Sequence, residues 1–318
     1  MPSPSPPIRT LRTRIALPDA GYALVDFLTR RFTYLDNAAW REEISAGRVL
    51  INHTPADADA ILTSGDEVVS LLPEIIEPEV ATDYRVVHED DDLLVLDKPA
   101  PLPCHPGGRY FRHTLWGLLK EKHRLETFFF VNRLDRETSG LVLVAKNAIA
   151  ARHCAKQFAS HEVNKDYLVL VEGDFPEQPV HATGWLALDT ESMVRKKMRF
   201  YSEQPSRDAK GCATDFMLRD HGNGMSLLVA RPRTGRCHQI RATLLALGFP
   251  VVGDKLYGVD ESFFIRFINN QFTTEDWQRL RIPRQALHAS RLTIVHPATG
   301  LPLTLTAPLP NELTDLLP

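Results

Sequence analysis

The chain has 318 residues, 43% of them hydrophobic and 24% charged, and a formal net charge of −3. That balance describes an ordinary soluble globular protein, long enough for one large domain or two unequal ones. No run approaches the roughly 18 apolar residues needed to cross a bilayer, and the near-neutral total excludes a whole-chain nucleic-acid signature, so local patches must carry any such argument.

The start, Met1-Pro2-Ser3-Pro4-Ser5-Pro6-Pro7, lacks the apolar core of a secretory signal and reads as the beginning of a flexible arm over residues 1–14. Leu24, Phe27, Leu28 and Phe32 then recur at helical spacing over 22–32, with Arg30 and Arg31 between them. A second helix is expected over 37–45, carrying Trp40 and Ile44 and stopped by Gly47. Strands follow at 49–52 and, after the Ser64-Gly65-Asp66 turn, at 67–72. Two short helices and a small hairpin make a unit of roughly 60 residues, near the lower limit for independent folding. This unit, placed over 15–74, resembles the alpha-L RNA-binding module in its first helix and in Ile44, Gly47-Arg48-Val49, Asn52 and Gly65-Asp66-Glu67-Val68. The resemblance implies that Arg30, Arg31, Arg41 and Arg48 approach RNA phosphates. A small α/β unit with no ligand explains the same pattern.

Residues 75–83, with prolines, glutamates and weak periodicity, read as a linker. A larger domain is expected over 84–318. It opens with a buried strand at 92–97 closed by Lys98-Pro99, then a Pro/Gly-rich loop around His105 and a helix over 114–122. Next comes Asn132-Arg133-Leu134-Asp135-Arg136-Glu137-Thr138-Ser139-Gly140-Leu141, a charged loop feeding the apolar strand Val142-Leu143-Val144-Ala145. Loops entering rigid core strands are where working residues are held, although a charged surface turn accounts for an isolated Arg-x-Asp equally well. A helix over 148–158 and strands at 164–173, 213–216 and 226–230 follow. Gly235-Arg236-Cys237-His238-Gln239-Ile240-Arg241 opens a helix that Gly248 stops. Residues 261–279 suggest a peripheral helix packed by Phe263, Phe264, Phe267 and Phe272, and strands close the chain at 291–295 and 303–306. Strands outnumber helices and are often hairpin-spaced, which argues for an α+β fold with a large, mostly antiparallel sheet.

Two basic clusters stand out: Arg195, Lys196, Lys197 and Arg199, and then Arg231, Arg233, Arg236 and Arg241. Each is either a solvated face or a phosphate-binding surface. Cys104, Cys154, Cys212 and Cys237 lie far apart without a Cys-x-x-Cys pair, which points to reduced thiols in a cytoplasmic protein. Dinucleotide, Walker, nucleophile-elbow and zinc-protease motifs are absent from the sequence. His238, His288 and His296 lack ligand-like spacing, so no metal is expected.

The larger domain resembles the RluA-type pseudouridine synthases. The match rests on Arg133-Leu134-Asp135-Arg136 with Thr138-Ser139-Gly140-Leu141, Lys165-x-Tyr167, Thr234-Gly235-Arg236 followed by His238-Gln239-Ile240-Arg241, Gly253-Asp254-x-x-Tyr257-Gly258, and Leu287-His288-Ala289. Asn132 departs from a frequent histidine, and Ala242-Thr243 from a Val-His pair. The resemblance implies the pseudouridine synthase fold and an isomerase acting on RNA without cofactor, metal or membrane, as a monomer. It implies Asp135 as nucleophile or base, Tyr167 as a base-stacking residue able to move a proton, and Arg236 as the salt-bridge partner of Asp135. Arg133 and Thr138 would hold the loop, Ile240 would floor the site, and Arg195–Arg199 with Arg241 would meet phosphates. Ribosomal RNA is the expected substrate, on the strength of the appended module. A transfer RNA synthase and a catalytically idle RNA-binding or ribosome-assembly factor are the alternatives.

Overall fold

The computed structural model describes residues 8–317 apart from 33–34, 74–76, 124 and 126. The chain divides into two compact units, one of residues up to 79 together with 105–113, the other of 80–104 together with 114 onward. Among the described residues no helix is long and apolar enough to cross a membrane.

The first unit contains β1 (Ile8–Arg14), α1 (Leu24–Arg31), α2 (Asn37–Ser45), β2 (Val49–Ile51), β3 (Thr54–Pro55) and β4 (Glu67–Pro73). Its sheet runs β1-β4-β2-β3, antiparallel throughout. Leu24, Phe27 and Leu28 of α1 meet Trp40 and Ile44 of α2 over Val49 and Val68, so the helical spacing read from the sequence is the face that is buried. Asp36 caps α2 by accepting the Ala39 N–H. The flexible arm expected over 1–14 has to be shortened. Residues 8–14 pair with β4 from Ile8↔Pro73 to Arg14↔Glu67, because Leu11, Thr13 and Ile15 alternate with the exposed Thr10, Arg12 and Arg14 at the period of a strand. Residues 1–7 lie outside the described set. The unit boundary falls at 79/80, inside the expected linker. On the first unit's side, Glu77 accepts the N–H groups of Phe111, Arg112 and His113, which fastens the His105 loop to this unit.

The second unit is built from β5 (Arg85–Glu89), β6 (Leu93–Lys98), α3 (Leu115–Lys122), β7 (Phe129–Phe130), β8 (Ser139–Ala145), α4 (Ala148–Ala159), β9 (Asn164–Glu172), β10 (Val180–Leu188), β11 (Met198–Tyr201), β12 (Lys210–Gly222) and β13 (Met225–Pro232). It continues with α5 (Gln239–Ala246), α6 (Ser262–Ile268), α7 (Thr274–Leu280), β14 (Leu287–Val295), β15 (Pro302–Thr306) and α8 (Asn311–Thr314). An 11-stranded sheet runs β11-β10-β12-β13-β9-β14-β8-β6-β5, with β15 on β14 and β7 on β8. The α+β class and the mostly antiparallel sheet are as the strand spacing suggests. β5, β10 and β11 were not foreseen. β10 points Ala182 and Gly184 inward, and such small residues leave little hydrophobic alternation to read. The expected single peripheral helix is two, α6 and α7, joined by a Thr273/Asp276 capping box and by rings packed at Phe263–Phe272 and Phe272–Trp277.

Among the described residues, the one parallel pairing in this sheet joins β8 to β14. There Gly140 lies beside Ala289, and Ala289 lies beside Tyr167 of β9. Gly140 has φ 107°, and a Cβ at that position would overlap the Ala289 backbone, so the second-last residue of the charged motif has to be glycine. The loop 133–138 is thereby delivered to the seam of the sheet. On one face of β9, Val169 and Val171 pack with Ile240 and Leu244 of α5. That contact brings α5 over the same seam.

Candidate active site

Asp135, Thr138, Lys165, Tyr167, Ile240 and Arg241 line one pocket of about 100 Å³, together with Arg133, Thr234, Arg236 and His238. The motifs separated in sequence therefore converge, as catalytic sites drawn from several elements do. Asp135 Oδ2 accepts a bond from the Arg241 guanidinium at 2.8 Å and a longer one from Gln285 Nε2 at 3.5 Å. Arg241 is itself clamped by Asp254, with Nε to Oδ2 at 2.6 Å and Nη2 to Oδ1 at 2.8 Å. Asp254 also accepts the N–H groups of Leu256 and Tyr257. The result is an Asp254–Arg241–Asp135 chain in which a buried guanidinium is gripped by Asp254 through two parallel bonds and reaches Asp135 with a third.

Burial alone would raise the Asp135 carboxyl, but the charge of Arg241 and the hydrogen bonds it receives outweigh that and hold it below the usual carboxylate range. One side of Asp135 stays open, its side chain being 34% exposed. The Tyr167 hydroxyl is pushed up to about 12, first by burial and then by the charge of Asp135, so it keeps its proton near neutrality.

The ion pair expected between Arg236 and Asp135 is corrected to Arg241. Arg236 is exposed at the pocket rim, and its Nε donates to the Gly211 carbonyl at 3.2 Å. It precedes α5, whereas Arg241 sits inside the helix, whose packing aims it at the loop. Arg241 is therefore also removed from the phosphate-binding set: it is 7% exposed and occupied by two carboxylates. A signal was available, since Arg241 is the only charge in the helix sequence Gln-Ile-Arg-Ala-Thr-Leu-Leu-Ala, and a lone charge on a buried helix needs partners. Gln285 carried no signal in isolation.

The loop is held by groups other than Arg133, which is exposed at the mouth. The buried Lys98 ammonium donates to the carbonyls of Pro99, Leu102 and Arg136. Thr138, 2% exposed, accepts from Gln285 Nε2 at 2.5 Å. Asn132, which matched no pattern, bonds backbone with its side-chain amide: Nδ2 donates to Leu141 O and Oδ1 accepts from Leu143 N. Ile240 is buried at the pocket wall.

The expected phosphate contacts divide. Lys197 is 8% exposed and pairs with Glu261 at 2.5 Å, so burial and that partner remove it from the set. Arg199 is exposed but bound to Glu191 at 2.6 Å, while Arg195 and Lys196 are exposed. In the first unit Arg30 lies over the Tyr22 ring and Arg31 is exposed. Arg41 pairs there with Asp59 and Arg48 with Glu43. Of the histidines without ligand-like spacing, His288 is buried between Ser139 and the Ala307 carbonyl. His296 and His88 both reach Asp90 Oδ2. The three could surround a cation by proximity. However, His296 Nδ1 accepts the N–H groups of Ala298 and Thr299, so the proton sits on the nitrogen facing Asp90 and the trio forms a hydrogen-bonded cluster.

Residues 92–246 match the model of the RNA pseudouridylate synthase family. An uncharacterized RNA pseudouridine synthase of Chlorobaculum parvum is 31% identical, covering 92% of this chain and 91% of the relative. The ribosomal large subunit pseudouridine synthase D of Xanthomonas campestris is 29% identical over 98% of this chain and 94% of its own. The mitochondrial tRNA pseudouridine(32) synthase of Saccharomyces cerevisiae is 33% identical, and the match covers 75% of this chain and 51% of that one.

Proposed function

The chain belongs to the RluA-type RNA pseudouridine synthases, and from that premise we propose that Asp135 is the carboxylate acting at the anomeric carbon of the target uridine. The reaction cuts the bond from ribose C1′ to uracil N1 and joins C1′ to uracil C5. A proton leaves C5 and one is gained at N1, so the isomerisation balances without an electron donor. The observation that carries the reading is a carboxylate kept ionised by Arg241, with Oδ2 pinned and Oδ1, among the described residues, left without a hydrogen bond beside the pocket. Such an oxygen can add to C1′ or take a proton from the sugar. Tyr167 and Ile240 are then the surfaces between which the extruded base lies, and the protonated Tyr167 hydroxyl is available for transfer at the ring. Extrusion costs about a few kcal/mol, least from an unpaired loop. Phosphate contacts from the exposed Arg195 and Lys196 and from the rim residue Arg236 would offset it. Asp135→Asn is expected to keep RNA affinity within about twofold and to lower conversion by ~10³-fold or more. Pseudouridine formed at the wild-type rate by that variant would refute the assignment.

Ribosomal RNA is the proposed substrate, supported by the module resemblance of the first unit and by the Xanthomonas relative's name. The yeast relative's name favours transfer RNA as the second reading. Pseudouridine mapping of both RNA classes from a strain lacking the gene separates them: loss confined to transfer RNA would overturn the ribosomal choice.

A further inference from the structure

His238 stands at the entrance to α5 with φ 54° and ψ 20°, a left-handed conformation uncommon outside glycine and one that gathers at functional sites. The following residue pins it there. Gln239, 4% exposed, accepts from Thr234 Oγ1 and Arg236 N, and donates to Ala213 O and Thr214 Oγ1. The imidazole is fixed in turn by Tyr257. That hydroxyl is buried and accepts the Met198 N–H at 2.7 Å. Its remaining contact among the described residues is His238 Nδ1 at 2.9 Å, which is therefore the acceptor for the hydroxyl proton. Nδ1 accepts, so the ring proton of the neutral imidazole is on Nε2. Burial favours that neutral form against the pull of the Asp135 charge. Nε2 lies 3.8 Å from Asp135 Oδ1, the oxygen that Arg241 and Gln285 leave unengaged. The separation exceeds a hydrogen bond, and bonds in empty sites commonly shorten when substrate binds.

We infer that His238 is a positioning residue for Asp135: Tyr257 sets its tautomer, and its Nε2–H closes on Oδ1 when the nucleotide is bound. One lone pair of Oδ1 is then occupied and the other is directed at the pocket, so the working oxygen is oriented from both sides of the carboxylate. The arrangement is economical because Tyr257 also stacks against the Arg241 guanidinium, 4.8 Å from the ring centre. A single buried side chain thus orders two of the donors to Asp135, Arg241 and His238.

The inference rests on the role proposed for Asp135, and two measurements keep the two claims apart. Nitrogen NMR of the histidine-labelled full chain, without RNA, should show His238 protonated at Nε2, and Tyr257→Phe should release that preference. An Nδ1-protonated ring in the wild-type protein would overturn the inference. With RNA, His238→Ala should lose about 30-fold in kcat with KM within about twofold, the scale of a hydrogen bond to a charged group. His238→Gln, whose amide nitrogen reaches the place of Nε2, should recover most of that loss while melting at the wild-type temperature. An unimpaired His238→Ala, or a folded His238→Gln as slow as the alanine variant, would sink the positioning role. A wild-type chain that forms no pseudouridine would instead refute the proposed function and leave the tautomer measurement to decide the Tyr257–His238 contact.

Discussion

Asp135 and Asp254 share one arginine, and the two carboxylates make different demands on it. Asp254 is fully buried and spends both oxygens on Arg241 and on backbone N–H groups, whereas among the described residues Asp135 keeps one oxygen without a hydrogen bond. Arg241→Met leaves Asp254 buried without its cation and is expected to cost ~3–5 kcal/mol, read from urea denaturation. Arg241→Lys keeps charge without the fork, so its effect is read in pH dependence. Asp135 has a depressed pKa, so the carboxylate, and the activity if it depends on Asp135 as proposed, persists above that value and is lost as pH falls through it. Weakening Arg241 raises the pKa, and the acid limb of kcat/KM should move to higher pH; an unmoved limb would mean Arg241 does not tune Asp135. Arg236→Ala, by contrast, should raise KM several-fold, roughly the ~1 kcal/mol of a rim contact, with the acid limb unmoved.

At the scale of elements, the site depends on the β8–β14 seam, where three strands place Gly140, Ala289 and Tyr167 side by side. Gly140→Ala adds a methyl against the Ala289 backbone at a positive φ. It should destabilise by about 3 kcal/mol or more and lower activity together with melting temperature. Stability loss without any loss of activity in the folded fraction would show that the seam does not set the loop. The helices read at 37–45 and 148–158 were legible in their apolar spacing, and the structure adds the caps Asp36 and Asn147. β8 was readable as an uninterrupted buried run. β10 was hidden by its inward Ala182 and Gly184, and β1 by the proline-rich residues before it, which made a strand look like the end of an arm.

The whole molecule joins a small arginine-bearing unit to a larger one holding the pocket. If the first unit meets RNA, neutralising its candidate cations, the exposed Arg30 and Arg31 and the half-buried Arg48, acts on affinity and not on chemistry. The triple variant Arg30→Ala, Arg31→Ala, Arg48→Ala should weaken binding to a large structured RNA, flatten its salt dependence by up to ~3 in slope, and leave turnover of a short stem-loop within about twofold. Equal losses on both substrates would argue against an accessory RNA-binding role.

Most elements and the α+β class were determined by the sequence itself, since periodicity is a local property, whereas the meeting of the charged loop, the Lys-x-Tyr strand and the α5 motif was implied only by the family resemblance and is made by the tertiary structure. Which arginine faces Asp135 was decided by tertiary structure alone. Arg236 and Arg241 are five positions apart on the same motif, and only the packing of α5 over β9 aims one at the loop and leaves the other at the rim. Gln285 and His238 belong to the same category. Gln285 lies 150 residues from Asp135, and His238 faces it through a ring set by Tyr257. Contacts made across the seam of a sheet depend on strand order and side-chain direction, which no stretch of sequence holds on its own.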